Sequence, residues 1–154
     1  MGWCKVNVDA AFDQGSRVAG LGIIIRNELG QVILSAWRAV FDVESVEEVE
    51  ARACLEGVQL ASEWCRQKII VESDCQNVVA PLNSGLPDKS LVFLLREIKS
   101  SSLVLPDVSF QTVKRERNVI AHELSQLAKR NVHTAVWRER VPRCVEALVA
   151  QDYT

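Results

Sequence analysis

The first forty residues alternate between apolar and polar side chains, which is the pattern of β-strands. Val6 and Val8 fall on one side of the first predicted strand, and Asn7 and Asp9 fall on the other. Turns that contain glycine separate this strand from two more, and links this short indicate an antiparallel meander. The three predicted strands are residues 3–12, 18–27 and 32–40.

From residue 44 onward, apolar side chains recur with the helical period. Residues 44–66 predict one long helix with a wide apolar arc, and Ser45 with Glu48 is a candidate capping box at its start. Alternating strands and helices then continue to the end of the chain. A strand at 69–74 comes first, followed by a helix at 75–83 that Gly85 and Pro87 close. The next helix is capped by Asp88 or Ser90, and its apolar stripe consists of Leu91, Leu94, Leu95 and Ile98. A strand at 108–114, a helix at 118–132 and a last helix at 141–150 complete the chain.

This order of elements predicts an α/β fold. Strands that follow helices pair in parallel with one another through right-handed crossovers. We therefore expect a mixed five-stranded sheet, with three antiparallel meander strands and two parallel strands, flanked by helices. Residues 1–154 are predicted to form one domain, either alone or as part of a longer chain.

Composition narrows the class of protein without selecting a function. A hydrophobic content of 48% with 25% charged residues is typical of globular proteins. No apolar run has transmembrane length, so we expect no membrane partner. Five cysteines without CxxC spacing disfavour a zinc site and predict free thiols in a reducing intracellular compartment, with nucleus and cytoplasm not distinguished.

Charge is distributed unevenly along the chain. The formal net charge is −2, but residues 114–143 carry 8 Lys and Arg against 3 Asp and Glu, whereas residues 1–113 carry 10 against 15. A local basic excess of this size is compatible with phosphate binding, but charge alone favours an ordinary solvated surface.

Three acidic residues occupy positions where burial is expected. Asp9 lies in the first strand, Glu50 lies on the apolar arc of the long helix, and Asp74 ends the fourth strand. Each has an ordinary explanation: a turn or salt bridge for Asp9, the helix dipole for Glu50, and the N-cap of helix 75–83 for Asp74. Together they indicate a metal site, because unpaired buried carboxylates are costly and clustered carboxylates suit Mg²⁺ or Mn²⁺.

Four segments containing these residues resemble ribonuclease H of type I, especially the plant branch related to the terminal domains of retroelement reverse transcriptases. The resemblance covers nearly the whole chain, and no GxGxxG, Walker A, HExxH or GxSxG motif competes with it. The segments are KVNVDAAF with Asp9, VEARACLEGVQLA with Glu50, VESDCQNVV with Asp74, and VKRERNVIAHELSQLAKR with the last strand and helix.

The resemblance implies a reaction and a set of partners. Members of this family cut the RNA strand of RNA–DNA hybrids with two Mg²⁺ ions, and Asp9 would bridge both ions while Glu50 and Asp74 each hold one. Recognition of the hybrid would rest on groove shape and 2′-hydroxyls. A fused or neighbouring domain is a further expected partner. The residues expected to contact nucleic acid are Asn7, Gln76, Lys114, Arg115, Arg117 and Asn118.

Two departures from the family pattern leave an alternative function open. His122 stands where the family has a fourth acid, so it is expected to complete the catalytic and metal-binding set, with a site that is weaker, Mn²⁺-preferring or inactive. The alternative for this residue alone is an exposed helix histidine beside Ser125 and Lys129. The loop before its helix is short and contains no histidine. The alternative is a catalytically impaired domain that binds nucleic acid or acts as a scaffold.

Overall fold

A computed structural model describes residues 2–85 and 91–152, and within them one mixed sheet has six strands. The strands run across the sheet in the order β5-β4-β1-β2-β3-β6. β1 pairs antiparallel with β2 and parallel with β4, β4 pairs parallel with β5, and β6 pairs antiparallel with β3. The bounds are β1 Trp3–Asp13, β2 Val18–Asn27, β3 Val32–Val40, β4 Lys68–Ser73, β5 Val108–Thr112 and β6 Ala135–Arg138.

Helices cover both faces of this sheet. A 19-residue helix, α1, and the last long helix, α4, lie against opposite sides of β1. Residues on β1 alternate accordingly, since Val6 and Val8 face α1 while Asp9 contacts α4. The bounds are α1 Val46–Trp64, α2 Gln76–Ser84, α3 Val92–Ser102, α4 Val119–Asn131 and α5 Glu146–Gln151.

Two glycines of β2 allow α4 to lie directly on the sheet. A Cβ atom built on Gly20 would stand 2.1 Å from the carbonyl oxygen of Ser125, and one built on Gly22 would stand 2.2 Å from the carbonyl oxygen of Ala121. Only residues without a side chain permit this approach. Because Gly22 pairs with Asp9 in the β1–β2 register, one of these two close approaches of α4 to β2 lies beside that acid.

The predicted α/β fold with a mixed sheet is confirmed, and the sheet extends one strand further than expected. β6 comes from the segment between the last two predicted helices, where Ala135 and Trp137 face the core beneath α4. Four residues are too few for alternation to stand out in a sequence. The remaining tail forms a short 3₁₀ turn and α5, which is shorter than the helix predicted at 141–150.

Local signals at the helix ends were partly correct. The backbone N–H of Glu48 donates to Oγ of Ser45, as the capping box requires, but the Glu48 carboxylate accepts from the N–H of Glu44 instead of Ser45. The N-cap of α2 is Cys75, so the alternative role of Asp74 as a cap is wrong. The predicted signals at Pro87, Asp88 and Ser90 lie outside the described residues.

Within residues 2–85 and 91–152, no helix has the length and apolarity that a membrane crossing requires.

Candidate metal centre

The parallel pairing of β1 with β4 brings two acids to the same end of the sheet. Asn7 is opposite Glu72 in the register, and Asp9 and Asp74 each follow two residues later. Glu50 approaches from the first turns of α1. One carboxylate oxygen from each of Asp9, Glu50 and Asp74 lies within 4.8 Å of the other two, so three acids that are distant in sequence form one cluster.

Burial makes this cluster electrostatically unfavourable without a cation. Asp9 is 1% exposed and Glu50 is 6% exposed. Burial, together with the nearby Asp74 carboxylate, raises the pKa of Asp9 above its usual range. Burial and the Asp9 carboxylate raise the pKa of Glu50 to about 9. Both shifts have the same causes, which are first the burial of a charged group and then the like charge of the neighbouring carboxylates.

Two oxygens of the cluster are available to an incoming ligand. Oδ1 of Asp9 and Oε1 of Glu50 are buried and find no hydrogen-bond partner among the residues that the structure describes. Buried polar atoms are almost always paired, so orphaned carboxylate oxygens that face a shared cluster fit the donor set of a hard divalent cation. The site therefore fits Mg²⁺ or Mn²⁺ through these residues.

His122 lies beside the cluster and contacts one of its members. Nδ1 of His122 is 2.8 Å from Oδ2 of Asp9, and the imidazole is 31% exposed. Within the described ranges, the group of close potential ligands contains Asp9, Glu50 and Asp74 but not His122. The predicted fourth residue therefore lies at the site, where it contacts the Asp9 carboxylate.

A buried polar network accounts for two residues that we expected to contact nucleic acid. Asn7 and Asn118 are each 2% exposed. Nδ2 of Asn7 donates hydrogen bonds to Oδ1 of Asn118 and to Oε1 of Glu72. Nδ2 of Asn118 donates to the carbonyl oxygen of Val8, at a distance of 2.8 Å. Their amides therefore join α4 to β1 internally, and a contact of either residue with nucleic acid stays a prediction.

The other predicted contacts lie at the surface. Gln76, Lys114, Arg115 and Arg117 are exposed. All but Arg117 line an open cavity of about 650 Å³ whose wall also includes Glu50 and Asp74. Nε of Arg115 is 3.4 Å from Oδ2 of Asp74, and the Arg115 side chain is 69% exposed, so a cationic group stands at the rim of the acid cluster.

Comparison with known proteins assigns the family. The profile described as reverse transcriptase-like matches residues 7–128, which is most of the chain. The chain belongs to the reverse transcriptase-like family. No curated protein sequence matches it.

Solved structures agree on the fold of this reverse transcriptase-like domain. RNase H1 from the archaeon Halobacterium salinarum NRC-1 is 17% identical, with a TM-score of 0.79 over 84% of this chain and 98% of that one. LC11-RNase H1 from a compost metagenome, solved with an RNA/DNA hybrid, is 18% identical, with a TM-score of 0.68 over 84% and 98%. The foamy virus protease–reverse transcriptase, also solved with an RNA/DNA hybrid, is 14% identical, with a TM-score of 0.65 over 84% of this chain and 20% of that one. The fold is therefore that of ribonuclease H.

Sequence reasoning missed one residue pair that supports the site of this reverse transcriptase-like domain. Arg26 on β2 is 5% exposed and donates from Nη1 to Oδ2 of Asp152 at 2.7 Å. Its Nη2 donates to Oδ1 of Asn7, so the ion pair continues into the buried amide network. An arginine inside the otherwise apolar run GLGIIIRN was the available signal, but its partner lies 126 residues away.

Proposed function

We propose that this domain hydrolyses the RNA strand of RNA–DNA hybrids with the help of divalent cations. The observation that carries the proposal is the cluster of Asp9, Glu50 and Asp74, in which two buried carboxylate oxygens have no partner among the described residues. A domain that serves only as a scaffold gains nothing from burying like charges, because the cluster destabilises the folded state unless a cation neutralises it.

The acids and the cavity rim have separate roles in this proposal. When bound, two Mg²⁺ or Mn²⁺ ions would activate the attacking water and stabilise the leaving 3′ oxygen. Asp9, Glu50 and Asp74 would hold the cations, since one carboxylate oxygen of each lies within 4.8 Å of the other two. Gln76, exposed on the cavity wall, would contact the sugar–phosphate backbone.

Basic residues near the cavity supply the attraction for nucleic acid. Lys114 and Arg115 line the cavity, and Arg117 ends the short 3₁₀ turn that Arg115 begins. Lys and Arg that neutralise phosphates dominate affinity for nucleic acid and make it dependent on salt. Three such residues form a small footprint, so we further propose that a fused or neighbouring domain adds to the grip on the hybrid. The foamy virus protein is one case in which this fold occupies a small part of a longer chain.

A second candidate function is a nucleic-acid-binding module with an impaired site. It is favoured by His122, which brings an imidazole where the family has a fourth acid, and which engages one oxygen of Asp9. This candidate retains the basic rim and predicts binding of the hybrid without cleavage.

Cleavage of a labelled RNA–DNA hybrid, in Mg²⁺ and in Mn²⁺, tests the proposal. We expect cleavage by the purified domain, and we expect Asp74→Asn to abolish it. Asp107→Asn is the matched control, since the Asp107 carboxylate is exposed and pairs only loosely with Lys68 at 3.8 Å. A folded protein that binds the hybrid but leaves it intact in both metals would support the binding module and reject the enzyme.

A further inference from the structure

The two oxygens of Asp9 have different surroundings. Oδ2 lies 2.8 Å from Nδ1 of His122, whereas Oδ1 is buried with no hydrogen-bond partner in the described ranges. When Asp9 is ionised, as it is when it holds a cation, its carboxylate can only accept hydrogen bonds, so Nδ1 of His122 is then the donor. The imidazole therefore uses the nitrogen that faces the site to bind an acid, and Oδ1 is the oxygen of Asp9 that remains for a cation.

The backbone that presents His122 is held firmly against the sheet. Its N–H donates to the carbonyl oxygen of Asn118 at 3.0 Å, and the Asn118 amide in turn donates to the carbonyl oxygen of Val8 beside Asp9. The preceding residue, Ala121, is the one whose carbonyl oxygen lies over Gly22. A donor fixed in this way limits rotation of the Asp9 carboxylate, because turning it would break the contact with Oδ2.

We propose that His122 is a positioning residue, which holds Oδ2 of Asp9 and thereby directs Oδ1 toward the cation, and that it does not ligate the cation itself. This inference rests on the proposed function, because it needs a cation at the three acids. It assigns His122 a different role from a fourth acid. A carboxylate at this place would add a ligand, whereas the imidazole adds a hydrogen-bond donor to a ligand that is already present.

Paired substitutions of His122 distinguish the two roles. The amide nitrogen of asparagine can occupy the place of Nδ1, whereas the amide of glutamine reaches the place of Nε2. We expect His122→Asn to bind Mn²⁺ within about threefold of the wild type, and His122→Ala and His122→Gln to bind roughly tenfold more weakly, as is usual when a residue that orients a ligand is lost. Isothermal titration with Mn²⁺ measures this without reference to activity. If His122→Asn and His122→Ala instead weaken Mn²⁺ binding equally, and His122→Gln stays closest to the wild type, His122 ligates the cation directly through Nε2.

Nitrogen chemical shifts of the two histidines give an independent reading. In protein labelled with ¹⁵N at histidine, Mg²⁺ should leave Nε2 of His122 in the range of an uncoordinated imidazole and Nδ1 protonated. His133, the only other histidine in the sequence, is an internal reference, since its Nδ1 accepts from the indole N–H of Trp37 at 3.0 Å. A large shift of Nε2 in His122 alone would overturn the proposal.

Asp9→Asn separates failure of the inference from failure of the proposed function. This variant should lose Mn²⁺ binding in either role of His122, and a urea titration of each variant shows whether it is folded. Suppose that the wild type binds Mn²⁺, that Asp9→Asn abolishes this binding, and that His122→Asn and His122→Ala have equal Mn²⁺ affinities. This result would reject the positioning role of His122 alone. A folded wild type that binds no Mn²⁺ would reject both.

Discussion

Replacement of Gly22 by alanine should disturb the candidate site through the packing of α4. The new Cβ would stand 2.2 Å from the carbonyl oxygen of Ala121, where 3.4 Å is the lower end of ordinary contact, so the helix must move by about 1.2 Å. The obstructing atom belongs to the backbone of a helix and cannot rotate away. Overpacking of this kind costs about 1–3 kcal/mol, and we expect a value near the upper end.

The displacement should reach the acid cluster, because the contact is adjacent to it. Ala121 precedes His122, and Gly22 pairs with Asp9 in the sheet. A shift of about 1 Å would lengthen the 2.8 Å contact between His122 and Asp9 beyond hydrogen-bond range. We therefore expect Gly22→Ala to weaken Mn²⁺ binding as His122→Ala does, in addition to lowering stability.

Urea unfolding with two matched alanine substitutions measures the effect. With a slope of about 2 kcal/mol per molar, a loss of about 3 kcal/mol lowers the midpoint by roughly 1.5 M. Gly15→Ala should change stability by less than about 0.5 kcal/mol, because the nearest atom to its Cβ is 3.5 Å away. Gly57→Ala should be intermediate, since its Cβ meets only side-chain atoms of Val6 and Val8. If Gly22→Ala has the same urea midpoint as Gly15→Ala, the close approach of α4 to β2 at Gly22 is refuted.

Three further measurements test the electrostatics. The pKa of Glu50 is about 9 when folded and near 4.5 when unfolded, so the metal-free protein should lose stability as pH rises between these values, and Glu50→Gln should flatten that dependence in urea titrations. Asp152→Ala leaves Arg26 buried without its carboxylate and should cost about 3 kcal/mol, whereas the exposed Asp107→Ala should cost almost nothing. Mn²⁺ at a hundredfold excess over its dissociation constant should stabilise the wild type by about 2.7 kcal/mol in the same assay and should leave Asp74→Asn unchanged.

The sequence was informative wherever a periodic pattern or a strand end determines position. Alternation in the first forty residues predicted the meander, and the helical period predicted α1. Acids at three positions where burial is expected predicted that Asp9, Glu50 and Asp74 share one site. These features follow from local spacing and from topology, so they need no knowledge of which side chains touch.

What the sequence could not supply depends on contacts between distant residues. The partner of Arg26 and the internal use of Asn7 and Asn118 require the assembled network. The glycines of β2 were a missed signal, because two glycines at i and i+2 lie on one face of a strand and indicate that another backbone approaches there. The fourth position, His122, could be identified from its motif, but its contact with Oδ2 of Asp9 could not.

The orientation of Asp9 follows from how α4 packs on the sheet. Because Gly22 has no side chain, α4 packs close to β2 at this point. The side-chain amide of Asn118 donates a hydrogen bond to the Val8 carbonyl oxygen at the start of α4, and His122 contacts the Asp9 carboxylate. Each contact involves a backbone or buried atom, so the carboxylate has little freedom before any cation arrives. Preorganised ligands bind a cation more tightly because less ordering remains to be done on binding. We therefore expect the consequences of a histidine at this place to depend on helix packing as much as on the number of acids.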